Sequence, residues 1–203
     1  MRGENDWFET AAGQALALDA MACAEPWLRP IAGHKALALL PCTQGLRLPE
    51  LRCTPVLQLQ RARGRLFGEF VADDARLPLV NDCLALVFAA FVLETSADGD
   101  ALLAECERLL VGEGHLALLA LNPLAPRRPG RWRGLALATA DALRARLSRA
   151  GFDVLRHESA GARYRPAALR PVNFLLARKR KVALTPIRKA AAAVALARES
   201  TPR

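Results

Sequence analysis

The chain has 203 residues, 52% of them hydrophobic and 24% charged, with a formal net charge of +9. That length suits one domain with a substantial core, and no apolar run comes near the roughly 20 residues of a membrane span. The charge is uneven: positions 1–176 hold 21 basic and 19 acidic side chains, whereas 177–203 hold 8 and 1, so the basicity belongs to the C-terminal stretch.

Glu4, Asp6 and Glu9 stand where a secretion signal needs basic residues, and a cytoplasmic protein is expected. Five cysteines (Cys23, Cys42, Cys53, Cys83, Cys106) are scattered and odd in number. None forms a CxxC or a Cys/His group with zinc spacing. Buried free thiols are the expectation, with Cys42 as the one candidate nucleophile.

Trp7, Phe8, Ala11, Ala15, Leu18 and Met21 recur at helical spacing, which predicts an amphipathic helix over 6–25. Glu25-Pro26 marks its end, because proline disfavours helix in the residue before it. Trp7 and Trp27 read as packing residues. Ala36 to Leu40 reads as the first core strand, followed by a turn from Pro41 to Gly45. Val56-Leu57-Gln58-Leu59-Gln60 alternates as a second strand. Arg61 to Gly64 reads as a basic turn and Leu66 to Val71 as a third strand. Leu84 to Ala89 is continuously apolar, as in a strand covered on both faces. A helix is expected over Gly99 to Leu110, broken by Gly112 and Gly114, with a buried strand from His115 to Leu121. Thr139 caps a helix that ends at Gly151. Strands from Phe152 and over Pro171 to Ala177 complete the pattern.

Four segments resemble the class I S-adenosylmethionine-dependent methyltransferase fold, most closely the bacterial branch of the type-11 methyltransferase-domain proteins. Asp74-Ala75-Arg76-Leu77-Pro78-Leu79 looks like that family's D-A-x-x-L-P-F segment. Leu84 to Glu94 matches its strand ending in h-x-L-E. Leu109 to Leu116 matches R-V-L-x-p-G-G-x-L. Asn122-Pro123 and Phe174 to Lys181 resemble the subgroup's closing strands. The resemblance implies a three-layer α/β Rossmann-like methyltransferase fold, with a mostly parallel central sheet and an antiparallel last strand. The organisation expected is an N-terminal helical segment over 1–33, a methyltransferase-like domain over 34–180 and a basic tail over 181–203.

It also implies S-adenosylmethionine as cofactor, held at the carboxyl ends of the strands. The resemblance gives the adenine amino group to the carboxylate of Asp74 and the ring to the backbone of Ala75, with Asp73 as an adjacent competitor. Pro41 and Gly45 fall in the cofactor loop, where the family carries about three glycines for close backbone approach. Leu40 to Gly45 keeps only Gly45. The ribose carboxylate at the end of the second strand falls on Gln58 or Gln60. The family's histidine near a strand end falls on Phe91. Methyl transfer can proceed by alignment alone, so no catalytic base is required, and His34, His115 and His157 read as surface or strand-edge residues. Asn122-Pro123 lies after the wrong strand to indicate an amino acceptor, and the acceptor stays unnamed.

A second class of function is a non-catalytic nucleic-acid- or partner-binding module on a retired methyltransferase fold. Arg127, Arg128, Arg131 and Arg133, with Trp132 among them, and the basic tail supply charge to track phosphates. A third is a subunit that stabilises an active partner, through the N-terminal helix and the alanine-rich end.

Overall fold

The structure, a computed structural model, describes residues 7–42, 46–126, 132, 135–161 and 166–180. Gly45, the arginines at 127, 128, 131 and 133, and the tail from 181 lie outside the described residues.

Helix α1 (Ala11–Leu28) starts at Thr10, whose side chain accepts from the Gly13 N–H and donates to the Trp7 carbonyl. Both ends differ from the periodicity. Trp7 and Phe8 precede the helix because they are drawn into the core, where Phe8 is buried. The helix also passes through Pro26 to Leu28. Proline removes one donor there, but Arg29 N–H still reaches the Glu25 carbonyl at 3.0 Å and closes the last turn.

The strands are β1 (Ala32–Leu40), β2 (Arg52–Ala62), β3 (Arg65–Gly68), β4 (Val71–Ala72), β5 (Leu84–Ala90), β6 (Leu110–Leu121), β7 (Phe152–Ala160) and β8 (Val172–Lys179). Helix α2 (Gly99–Leu109) joins β5 to β6, and α3 (Ala140–Arg149) precedes β7. They form one sheet in the order β4-β3-β2-β1-β5-β6-β8-β7. β2, β1, β5 and β6 run parallel, and β8 is antiparallel, as the resemblance implied.

The other edge is antiparallel as well. β2 turns straight into β3 through Arg63 and Gly64, both at positive φ (50° and 76°), the geometry of a tight hairpin. The expected third strand is therefore two short ones, split at Glu69-Phe70. Strand β6 also begins earlier than its glycines suggested. Leu84 pairs with Leu110 and Leu86 with His115, so Val111 to Gly114 bulge out of the ladder. Glu113 sits there at φ 68°, where the family pattern has glycine.

The central strands are buried on both faces. Ala36, Ala38, Leu40, Leu86 and Phe88 face α1, whereas Leu37, Leu39, Val87 and Ala89 share the opposite core with α2 and α3. No helix separates β1 from β2 among the described residues; Leu46, Leu48 and Leu51 pack against the first core instead. Gln58 and Gln60 lie on this thinly covered face, opposite Ala38 and Leu40, and stay half-exposed. Polar amides suit a surface with no helix to bury it.

Candidate functional site

The chain passes from β1 to β2 on one side and returns to β5 on the other. In such sheets ligands bind beside that reversal, at the carboxyl ends of the strands. Pro41 and Phe91 directly follow β1 and β5, and Asp74 meets Arg61 at the end of β2.

Asp74 is 7% exposed, whereas Asp73 points outward and pairs with Arg65 at 2.7 Å. The loop around them is clamped from α2: Leu77 N–H donates to Glu105, and Arg108 donates to the Leu77 and Leu79 carbonyls. The Asp74 carboxylate has two partners of its own. Arg61 Nη1 lies 2.6 Å from Oδ1, and the Ser96 hydroxyl donates to Oδ2 at 2.6 Å. Arg61, next to last in β2, is 2% exposed and also reaches the Val92 carbonyl at 3.5 Å. The sequence read Arg61 as the start of a basic turn, whereas β2 runs on to Ala62. The signal was present, because period two puts position 61 on the face of Leu57 and Leu59.

The remaining candidates fall into place around this pair. Ala75 is exposed beside Asp74. Gln58 lies four residues before the end of β2, and its backbone N–H donates to Glu69 at 2.8 Å. Pro41 and Cys42 are buried at the end of β1, and the Cys42 thiol contacts the Phe8 carbonyl. Phe91 is fully buried and holds φ 54°, a conformation that bulky side chains rarely adopt.

Aromatic rings cap this end of the sheet. Phe8 packs on Phe91 with centroids 4.9 Å apart; Trp7 meets Phe8 edge-on at 4.9 Å and Trp132 at 5.4 Å. The segment before α1 thus covers the carboxyl ends of the strands, and Trp7 is the packing residue its spacing implied.

Glu94, quoted only as part of a strand-end pattern, is a second residue that the sequence undervalued. It is 4% exposed; one carboxyl oxygen accepts from Leu121 N–H, and its carbonyl accepts from Ala136 N–H. Burial pushes its carboxyl up to about 7, against the opposing pull of that hydrogen bond and of Arg146. It ties the ends of β5 and β6 to the segment that leads into α3.

The histidines lie elsewhere. His157 is held between Arg144 (3.0 Å) and Asn173 (3.1 Å), and His115 is half-buried at the amino end of the β6 ladder. Asn122 is structural: its amide donates to the Ala168 and Arg170 carbonyls. Among the described residues, no group of three His, Cys, Asp or Glu side chains is placed to hold a metal, and no helix is long and apolar enough to cross a membrane.

No protein-family model and no curated protein matches the chain. Solved structures do. A chain of the complex between the Haloferax volcanii Trm112 methyltransferase activator and a methyltransferase superposes with a TM-score of 0.63 at 14% identity, over 89% of this chain and 100% of that one. An S-adenosylmethionine-dependent methyltransferase from Aquifex aeolicus gives 0.62 at 13% identity, over 88% and 99%. One from Mesorhizobium loti gives 0.54 at 19%, over 77% and 97%. The chain has the class I S-adenosylmethionine-dependent methyltransferase fold.

That fold implies S-adenosylmethionine, and the resemblance assigns its adenine amino group to Asp74. The carboxylate that would receive the adenine amino group is already shared by Arg61 and Ser96.

Proposed function

We propose that this protein is a non-catalytic member of the methyltransferase fold that acts as a partner-binding module. The observation that carries the reading is the buried Arg61–Asp74 pair. An adenine amino group is a neutral donor, and its hydrogen bond contributes about 1 kcal/mol net. Displacing Arg61 would break a buried ion pair, at about 3–5 kcal/mol. The exchange is unfavourable unless Arg61 finds a new partner. The single glycine left in the cofactor loop and the aromatic cap point the same way.

Two features support a macromolecular partner. A structural neighbour was solved with a protein activator. In this chain, the arginine-rich loop and the basic tail supply charge for a protein or a nucleic acid. The rival reading is an active S-adenosylmethionine-dependent enzyme, favoured by Asp74 reaching the carboxyl end of β2.

Calorimetric titration with S-adenosylhomocysteine decides between them. No heat of binding up to about 1 mM, a threshold of roughly 4 kcal/mol, is expected. Micromolar binding that Asp74→Ala abolishes overturns the proposal and directs the search to methyl acceptors.

A further inference from the structure

We infer that the free edge of β7 is a docking site for an extended segment of a partner protein in which acidic and apolar residues alternate. This deepens the partner-binding reading and rests on it. Among the described residues, β7 pairs only with β8. The bond from Arg180 N–H to the Gly151 carbonyl sets the phase of that ladder. Asp153 therefore faces Arg178 in a hydrogen-bonded pair, while the backbone groups of Phe152 and Val154 turn outward. The Phe152 carbonyl indeed accepts from the Arg180 side chain at 3.1 Å rather than from a strand.

Two clefts flank this stretch, on opposite faces of the sheet. One, of about 510 Å³, lies on the α1 side and is walled by Trp27, Ile31, Val111 and Leu176. The other, of about 420 Å³, lies on the α3 side and is lined by Arg144 and Arg180 against Asp153. Leu155 and Arg156 line both, at the bulge where β7 slips its register. Arg156 also stacks on Trp27 at 3.6 Å.

Successive side chains of an added strand point to opposite faces. A strand laid along β7 would therefore send alternate residues into the apolar cleft and the others among the arginines. Main-chain hydrogen bonds would supply affinity, and the two clefts specificity. Arg144 and Arg180 each carry an exposed carboxylate partner, Asp141 or Asp153. Such pairs contribute little, so an incoming carboxylate can share the cations at small cost. The bulge and the edge charges deter indiscriminate pairing. Like charges disfavour a second copy of β7.

The test titrates the full chain with a capped heptapeptide of alternating glutamate and valine, followed by calorimetry and amide chemical shifts. One control keeps the composition but groups the valines before the glutamates. A second carries N-methyl groups on alternate amides. Attraction by the basic tail alone would bind all three equally. Expected is binding of the alternating peptide with shifts at 152–157, about tenfold or more weaker for either control and for Arg144→Glu or Arg180→Glu. Equal binding of the controls, no binding at about 1 mM, or displacement by a polyuridine oligonucleotide overturns the proposal. Titration of the same sample with S-adenosylhomocysteine reports on the proposed function separately, so either can fail alone.

Discussion

Arg61 Nη1 and Asp74 Oδ1 stand 2.6 Å apart, both side chains withdrawn from solvent, at the carboxyl end of β2. Arg61 comes from the end of β2, one residue past Gln60, and serves as counter-ion for the adjacent loop.

Asp74→Ala is expected to destabilise the fold by about 3–5 kcal/mol, because it removes one member of a buried ion pair. Replacing both members, with Arg61→Met and Asp74→Leu, is expected to recover most of that loss or exceed the parent. Urea unfolding of the two singles and the double measures the coupling. A mild effect of Asp74→Ala would show that Arg61 escapes to solvent or finds a new partner.

Stability should depend on the ionisation of Glu94. Its folded value, about 7, lies above the ordinary 4.5, so the native state holds the proton that the unfolded state has released. The carboxyl contributes no penalty below 4.5, a growing one as pH rises to about 7, and the full one above it. The loss amounts to about 3 kcal/mol at most. Unfolding at pH 5 and pH 8 is expected to show this decline in the parent relative to Glu94→Gln, which carries no titrating proton. Parallel pH profiles would remove Glu94 as the source.

Phe8→Ala should undock the aromatic cap. Phe8 is 1% exposed and bridges Trp7 to Phe91. The loss is expected to be about 3–5 kcal/mol, with red-shifted emission as Trp7 and Trp132 meet water. Unchanged emission would mean that the rings hold the segment without Phe8.

Glu113→Gly should stabilise the chain by about 1 kcal/mol, since φ 68° is strained for glutamate and free for glycine. The lost contact with Arg178, at 3.7 Å and solvent-exposed, offsets little. A fall in thermal midpoint would show that the pair outweighs the backbone.

The parallel centre of the sheet was legible because Leu84 to Ala89 and His115 to Leu121 are unbroken apolar runs, and burial on two faces leaves that mark. The turn after β2 was legible too, but it was placed two residues early, because β2 runs on to Ala62. The site was legible in part. Asp74 was found through its loop pattern, and the structure turns it inward while Asp73 pairs outward with Arg65. Glu94 was hidden because a carboxylate at a strand end reads as solvated until the Leu121 N–H and the overlying segment are known.

By itself, the sequence determined which segments pair with what period: alternation and apolar runs are local properties of the chain, and they specify strands, helices and their order. Only the tertiary structure decided what Asp74 pairs with. Whether an arginine at position 61 faces water or an aspartate thirteen positions on depends on how β2 and the following hairpin bring the two together, and charge pairing across that distance leaves no periodic trace.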